Sequence, residues 1–284
     1  MATAQDIQYH YDVHNDFYAL FLDTTFRAYS CGVWEQATTL EEAQQAKVQR
    51  LCDFAKIKAG HSVLDIGCGW GGVMRYAIEM RQAQRVHGLT LSNDQNDYIK
   101  HQDHPCITVD LQSWQEFNPL SVKYDAIVSI GAFEHFASRA DRLSGQQRDI
   151  YRQFFMRCRA VSTQSAHLGL QTIVTARQPN NLQEMRDARY LLDRVFPGSA
   201  LPSISDVQAA SLDVYELLQF RRIGKDYART LAAWRVRLEA CRTHAIQAFG
   251  EDTFNHYVHY FDAAQRSFEA GVTDLLQVSL RPIN

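Results

Sequence analysis

The run Val63-Leu-Asp-Ile-Gly-Cys-Gly-Trp-Gly-Gly72 constrains this chain more than any other segment. A short apolar stretch feeds a loop in which Gly67, Gly69 and Gly72 satisfy G-x-G-x-x-G, and an amphipathic segment follows. The loop therefore joins a strand to a helix. From residue 62 onward short apolar runs alternate with amphipathic segments, the signature of a parallel sheet covered by helices on both faces. The pattern predicts strands over 62–66, 85–91, 107–110, 124–130, 166–176, 215–222 and 272–280, with helices beginning near Gly72, Ser92 and Ser144. Ser92-Asn-Asp-Gln95 reads as a capping box. The expected fold is α/β, a doubly wound, mostly parallel seven-stranded sheet.

Residues 1–60 read as a helical N-terminal cover. Tyr11, Phe17, Leu20 and Phe21 share an apolar stripe. Thr39-Leu-Glu-Glu42 fits a capping box, followed by Leu40, Ala43, Val48, Leu51 and Phe54 at helical spacing. Between these helices, Ala28-Tyr-Ser-Cys-Gly-Val-Trp34 is too aromatic for a mere linker. Residues 61–176 form the cofactor-binding core. Residues 177–213, with a helical stretch and a Phe196-Pro-Gly turn, break the rhythm as a substrate cap insertion, and 214–284 complete the sheet and its helices. Two long amphipathic helices are expected over 225–249 and 252–270, with Gly271 as a helix stop. No repeat or Gly- and Pro-rich linker divides the 284 residues, so one domain is expected.

With 29 Lys+Arg against 32 Asp+Glu, the chain lacks the basic excess that phosphate-backbone binding requires, and nucleic acid is not an expected partner. No apolar run approaches a membrane span, and the N-terminus lacks the features of a secretory signal, so a cytoplasmic location is expected. Cys31, Cys52, Cys68, Cys106, Cys158 and Cys241 show no metal-ligand or redox spacing and read as reduced thiols, with no metal site expected.

A dinucleotide site would want an acidic residue at the end of the second strand, which instead reads Gly88-Leu-Thr-Leu-Ser92. Asp65, just ahead of the glycines, would oppose a pyrophosphate. A ligand with a cationic end, such as S-adenosylmethionine, suits this arrangement better; a loop that merely packs helix on strand is the plain alternative.

Four blocks, Tyr29-Ser-Cys31, LDIGCGWGG, GLTLSNDQ and Ser129-Ile-Gly-Ala-Phe-Glu-His-Phe136, together resemble the cyclopropane-fatty-acid synthases, in particular the mycolic acid cyclopropane synthases among class I S-adenosylmethionine-dependent methyltransferases. The resemblance extends to Phe196-Pro-Gly-x-x-Leu-Pro-Ser-Ile204 and Asp226-Tyr-Ala-Arg-Thr-Leu-Ala-Ala-Trp234, over nearly the whole chain. It implies a Rossmann-like methyltransferase in which Tyr29, Ser30, Asp65, Gly67, Cys68, Gly69, Gly71 and Ile130 surround the cofactor. Thr90, Leu91 and Gln95 would hold the ribose. Trp114 would face the adenine, or it is simply core.

The resemblance further implies a bound bicarbonate that takes a proton from the new methyl group, held by a Cys, a Glu, a His and a Tyr. Cys31, Glu134 and Tyr227 match; the histidine position is Gln171, which cannot become cationic. His167 is four residues upstream, at the start of the strand. Either bicarbonate is held by a retuned shell including Gln171, or the acceptor loses its proton another way. Asp226 is a second departure. His135 reads as structural because adjacent residues point apart, and the remaining cysteines as packing.

The expected activity is methyl transfer to an electron-rich carbon, an alkene, of a lipid-like or secondary-metabolite acceptor, giving C-methylation or a cyclopropane. The alternative is a small-molecule N- or C-methyltransferase. Seven Lys+Arg against two acidic residues between Arg221 and Arg242 would suit an acyl carrier protein, a phospholipid membrane surface or a diphosphate, although a solvated helix face is the favoured reading. A homodimer is compatible with the sequence and not required by it.

Overall fold

The computed structural model describes residues 15–119 and 122–283. Seven strands, β1 (Ser62–Ile66), β2 (Arg85–Thr90), β3 (Ile107–Leu111), β4 (Tyr124–Ile130), β5 (Ser162–Thr175), β6 (Tyr215–Arg222) and β7 (Thr273–Pro282), form one sheet in the order β3-β2-β1-β4-β5-β7-β6. All neighbours from β3 through β5 are parallel; β7 runs antiparallel to both β5 and β6. The order reverses between β1 and β4, and ligands of doubly wound sheets bind at the carboxyl edge of that switch point.

Eleven α-helices are described: α1 (Asn15–Ala19), α2 (Leu40–Phe54), α3 (Gly72–Arg81), α4 (Asn93–His101), α5 (Arg139–Leu143), α6 (Gln147–Val161), α7 (Leu182–Tyr190), α8 (Ile204–Ser211), α9 (Gly224–Ala240), α10 (Arg242–Phe249) and α11 (Glu251–Glu269). The Thr39 capping box is present, with Glu42 reaching back to the cap. At Ser92 only half a box forms: the hydroxyl accepts from Gln95 N, while the Gln95 amide turns to Thr90 instead. The helix expected near Ser144 starts at Gln147, preceded by α5 with a capping box of its own at Ser138 and Asp141. The single helix expected over 225–249 breaks at Cys241 into α9 and α10. At Gly271, φ is 71°, and the Gly271 and Val272 amides return to Phe268 O and Ser267 O, closing α11 as a Schellman turn.

The N-terminal cover is less helical than expected, since residues 20–39 are irregular between α1 and α2. Its order comes from aromatic packing. Phe17 and Phe21 are fully buried and meet Tyr257 and Phe261 of α11 at ring separations of 4.7 and 5.2 Å, while Tyr29 stacks on Trp234 of α9 at 5.2 Å. Leu20 packs at the edge of this cluster; Tyr11 lies outside the described residues. Polar ties fix the cover's register: Asp226 accepts from Trp34 N at 3.0 Å, and Thr230 accepts from Gly32 N and Trp34 Nε1. The cap segment is held on the other side, where a bidentate Asp187–Arg266 pair joins α7 to α11 and Gln147 donates to Ala200 O.

Helix α2 reaches the sheet because β5 carries Gly169, where a Cβ would lie 2.7 Å from Leu51 O. Gly169→Ala is expected to lever α2 away from β5 and cost about 1–3 kcal/mol. By contrast Thr39→Ala, which removes only the cap, should cost about 1 kcal/mol. Urea denaturation of the two variants checks the order; equal losses would show that the close approach is not needed.

Candidate active site

Two cavities meet at the carboxyl edge of β1 and β4. The first, about 190 Å³, lies between the glycine loop, the ends of β2 and β4 and the 26–30 segment of the cover. Of the residues expected around a cofactor, Tyr29, Ser30, Asp65, Gly67, Cys68, Gly69, Thr90, Leu91, Gln95, Trp114 and Ile130 line it. Gly71 does not; at φ 75° it caps α3 and packs toward Ile99. Gly69, at φ 56°, has open space where a Cβ would stand, so the loop backbone is left accessible to a ligand. Thr90 donates to Gln95 Oε1 at 2.8 Å, which leaves both Gln95 N–H donors available. Trp114 belongs to both readings: it lines the cavity and meets Phe154 edge-on at 5.5 Å in the core.

Asp65 is 2% exposed, and its Oδ2 has no hydrogen-bond partner among the described residues. Burial pushes its carboxyl up to about 7, against an opposing pull from Lys47. An orphaned buried carboxylate beside an open glycine loop fits the cationic end of S-adenosylmethionine and disfavours a pyrophosphate.

The second cavity, about 710 Å³, runs from the end of β5 under α7, α9 and α11, with Ile173, Leu192, Phe196, Leu231 and Phe268 in its wall. Glu134 and Tyr227 line it; Cys31 and Gln171 line neither cavity. The β4 chain ends at Ile130 opposite Gln171, so the next β5 amide, Ile173 N–H, has no strand to pair with. Glu134 takes that place. Its Oε1 accepts from Ile173 N at 3.4 Å and its Oε2 from Thr172 Oγ1 at 3.0 Å. Burial nevertheless pushes its carboxyl from the ordinary 4.5 to about 7.

His135 was expected to be structural, and the structure corrects this: it lines both cavities. Phe133–His135 is a 3₁₀ turn, whose successive side chains fan out by a third of a turn, so Glu134 and His135 both reach the second cavity. Burial pulls His135 down to about 4, which keeps its imidazole neutral. Lys47 is another wall residue that sequence reading passed over. The signal was present: Gln44 and Lys47 fall four and seven residues after Leu40, on the apolar stripe of α2.

Cys31 is fully buried, and its thiol donates to Gly32 O at 3.0 Å. Burial, with Asp226 adding to it, pushes the thiol well up, so it stays protonated. Gln171 is 1% exposed, and its orientation follows from donor chemistry. Arg50 can only donate, so Gln277 Oε1 accepts from it at 3.4 Å; Gln277 Nε2 then donates to Gln171 Oε1 at 2.8 Å. Gln171 Nε2 is left a buried donor with no partner among the described residues.

A profile described as mycolic acid cyclopropane synthetase matches residues 1–278. The chain belongs to the mycolic acid cyclopropane synthetase family. It is 36% identical over 290 residues to the S-adenosylmethionine-dependent methyltransferase UmaA of Mycobacterium tuberculosis, covering 95% of this chain and 94% of that one. Among solved structures, the cyclopropane synthase MmaA2 of M. tuberculosis aligns with a TM-score of 0.88 at 34% identity over 98% and 97% of the two chains. Mycolic acid cyclopropane synthase CmaA1, solved with SAH and CTAB, aligns at 0.86 and 31% over the same shares. Family membership makes the chain an S-adenosylmethionine-dependent methyltransferase, and its seven-stranded α/β sheet is that of the class I enzymes.

The basic stretch between Arg221 and Arg242 is largely occupied within the chain. Arg222 pairs with Asp274, Arg235 with Asp262, and Arg237 with Glu41, and Arg229 lies over Trp34. No helix among the described residues is long and apolar enough to cross a membrane.

Glu134 binds its proton more tightly folded than unfolded, so stability falls as pH rises from about 4.5 to about 7. Glu134→Gln should remove that part of the slope and stabilise the ligand-free chain at pH 8 by up to about 3 kcal/mol, while sharply reducing methyl transfer. Urea midpoints at pH 5 and pH 8 check this; an unchanged slope would contradict the buried-carboxyl assignment.

Proposed function

We propose that the chain methylates an alkene carbon of a long-chain, lipid-like acceptor lying in the second cavity, and closes a cyclopropane there. The observation that carries this reading is the large apolar cavity that meets the cofactor cavity at His135 and has Glu134 on its wall. The names of the relatives, cyclopropane synthases among them, support it over a small polar acceptor.

S-adenosylmethionine, when bound, supplies an electrophilic methyl on a sulfonium. In this reading Asp65 and the Gly67–Gly69 backbone receive its amino-acid end, Tyr29, Ser30 and Ile130 close over it, Gln95 oriented by Thr90 meets the ribose, and Trp114 faces the adenine. The apolar wall positions the acceptor and keeps water away from the positive charge that develops on its carbon. Glu134, next to that charge, stabilises it, and Tyr227, also on the cavity wall, orients the acceptor. Cys31 holds the cover backbone in place through Gly32.

The donors also fit a bicarbonate ion in one respect: Gln171 Nε2 is a buried N–H that lacks an acceptor, and Arg50 fixes it in that sense through Gln277. Such an ion would supply the base for the new methyl. Gln171 gives it one neutral donor in place of the histidine that the family resemblance implies, so weaker retention follows.

The decisive experiment incubates the purified protein with S-adenosylmethionine and a mono-unsaturated long-chain acyl substrate. Loss of vinyl proton signals in NMR with appearance of cyclopropane signals is expected; methylation with the alkene retained would remove ring closure. Turnover of a fully saturated acceptor would remove the alkene reading altogether. Gln171→His should raise the dependence of rate on added bicarbonate. A rate indifferent to bicarbonate in both forms would rule the anion out.

A further inference from the structure

We infer that Lys47 receives the carboxylate of the cofactor's amino-acid tail, opposite Asp65, so that the two form a split cradle for a zwitterion. This rests on the S-adenosylmethionine reading of the first cavity and assigns a binding residue that the motifs did not contain.

Lys47 sits on α2, is 2% exposed, and lines the same cavity as Asp65. An ammonium has three donors. One is used, on Ser30 Oγ at 3.0 Å, and no other hydrogen-bond acceptor for Lys47 is found among the described residues. Asp23 and Asp65 both attract it electrostatically, yet neither is within ion-pair distance, and Asp23 spends its oxygens on the Phe26 and Ala28 amides. Asp65 mirrors this, with an orphan oxygen and Lys47 as the charge that eases its ionisation.

Two buried ions of opposite sign that face one cavity without touching carry an unrelieved desolvation cost. A ligand relieves both only if it brings an anion to Lys47 and a cation to Asp65. An α-amino acid does so, because its carboxylate and ammonium hang from one carbon. Ser30, bonded to Lys47 and placed on the cavity wall, adds a hydroxyl at the carboxylate end. Gln44, one turn back on α2, donates to Ser30 O at 2.8 Å and holds that strap in place. A purely structural lysine would brace Ser30 in the same way but would be indifferent to what the ligand carries.

Calorimetric titration separates the two. The probes are S-adenosylhomocysteine and its decarboxylated analogue, which keeps the amine and lacks only the carboxylate. The intact protein should prefer the first by roughly 100-fold, the worth of a charge-assisted hydrogen bond. Lys47→Met should lose that preference by weakening S-adenosylhomocysteine alone, leaving the analogue within about threefold. Lys47→Arg should retain most of the preference. Equal weakening of both ligands in Lys47→Met would make Lys47 a brace and overturn the inference. So would an intact protein that binds the two equally, a result that does not depend on any variant folding. Failure of the intact protein to bind S-adenosylhomocysteine at all would instead remove the cofactor reading itself.

Discussion

Strand β5 outruns β4, and the site depends on that mismatch. Beyond Ile130 the β4 chain turns away at Gly131, whose φ is 69°, while β5 continues to Thr175 with β7 as its remaining partner. The exposed ladder position is filled by a carboxylate in place of a strand. A backbone amide and a hydroxyl thereby fix Glu134 on the wall of the second cavity, and the same turn brings His135 to the wall shared by both. Had β4 kept pace with β5, the amide of Ile173 would have been satisfied by backbone, and Glu134 would have lost both its anchor and its reason to be buried.

Burial of ionisable groups is the energetic counterpart of this geometry. Lys47, Asp65 and Glu134 each lie almost entirely out of solvent, and for all three burial is the largest influence, pushing them toward their neutral forms. None has an ion-pair partner among the described residues. Aromatic packing elsewhere in the chain, such as that of Phe17 and Phe21 on Tyr257 and Phe261, offsets that cost. Such an arrangement trades folding stability for groups whose charge is available to a ligand, the usual pattern of a binding site assembled in a low-dielectric interior.

The parallel half of the sheet was legible because each strand is an apolar run bounded by turn residues; β1 and β4 fall where the pattern puts them, and β2 and β3 end within one residue of it. The start of β5 was not, since Ser162-Thr-Gln-Ser165 is polar and precedes most of the strand's pairing. The break at Cys241 carries no Gly or Pro to announce it. Of the residues nominated from motifs for the cofactor, all but Gly71 line the first cavity. Lys47 and His135 were missed for a common reason: each was judged by residue type when its position on a helical stripe or a 3₁₀ turn decided which way it pointed.

Gln171 is best understood with its neighbours. Arg50 cannot accept, so it sets the direction of every hydrogen bond behind it, and the last amide must present N–H toward whatever lies beyond. That donor is independent of pH, whereas a histidine in its place would gain or lose a proton near neutrality. With Cys31 held protonated and His135 held neutral, the groups on the two cavity walls that burial moves toward pH 7 are Glu134 on the second and Asp65 and Lys47 on the first, the two carboxyls pushed up to about 7 and the ammonium pulled down to about 8. The Gln171 N–H donor stays constant through the range in which those three groups titrate. An uncharged amide at position 171 thus keeps the direction of its hydrogen bond at every pH and lacks the attraction for an anion that a cationic imidazole would carry.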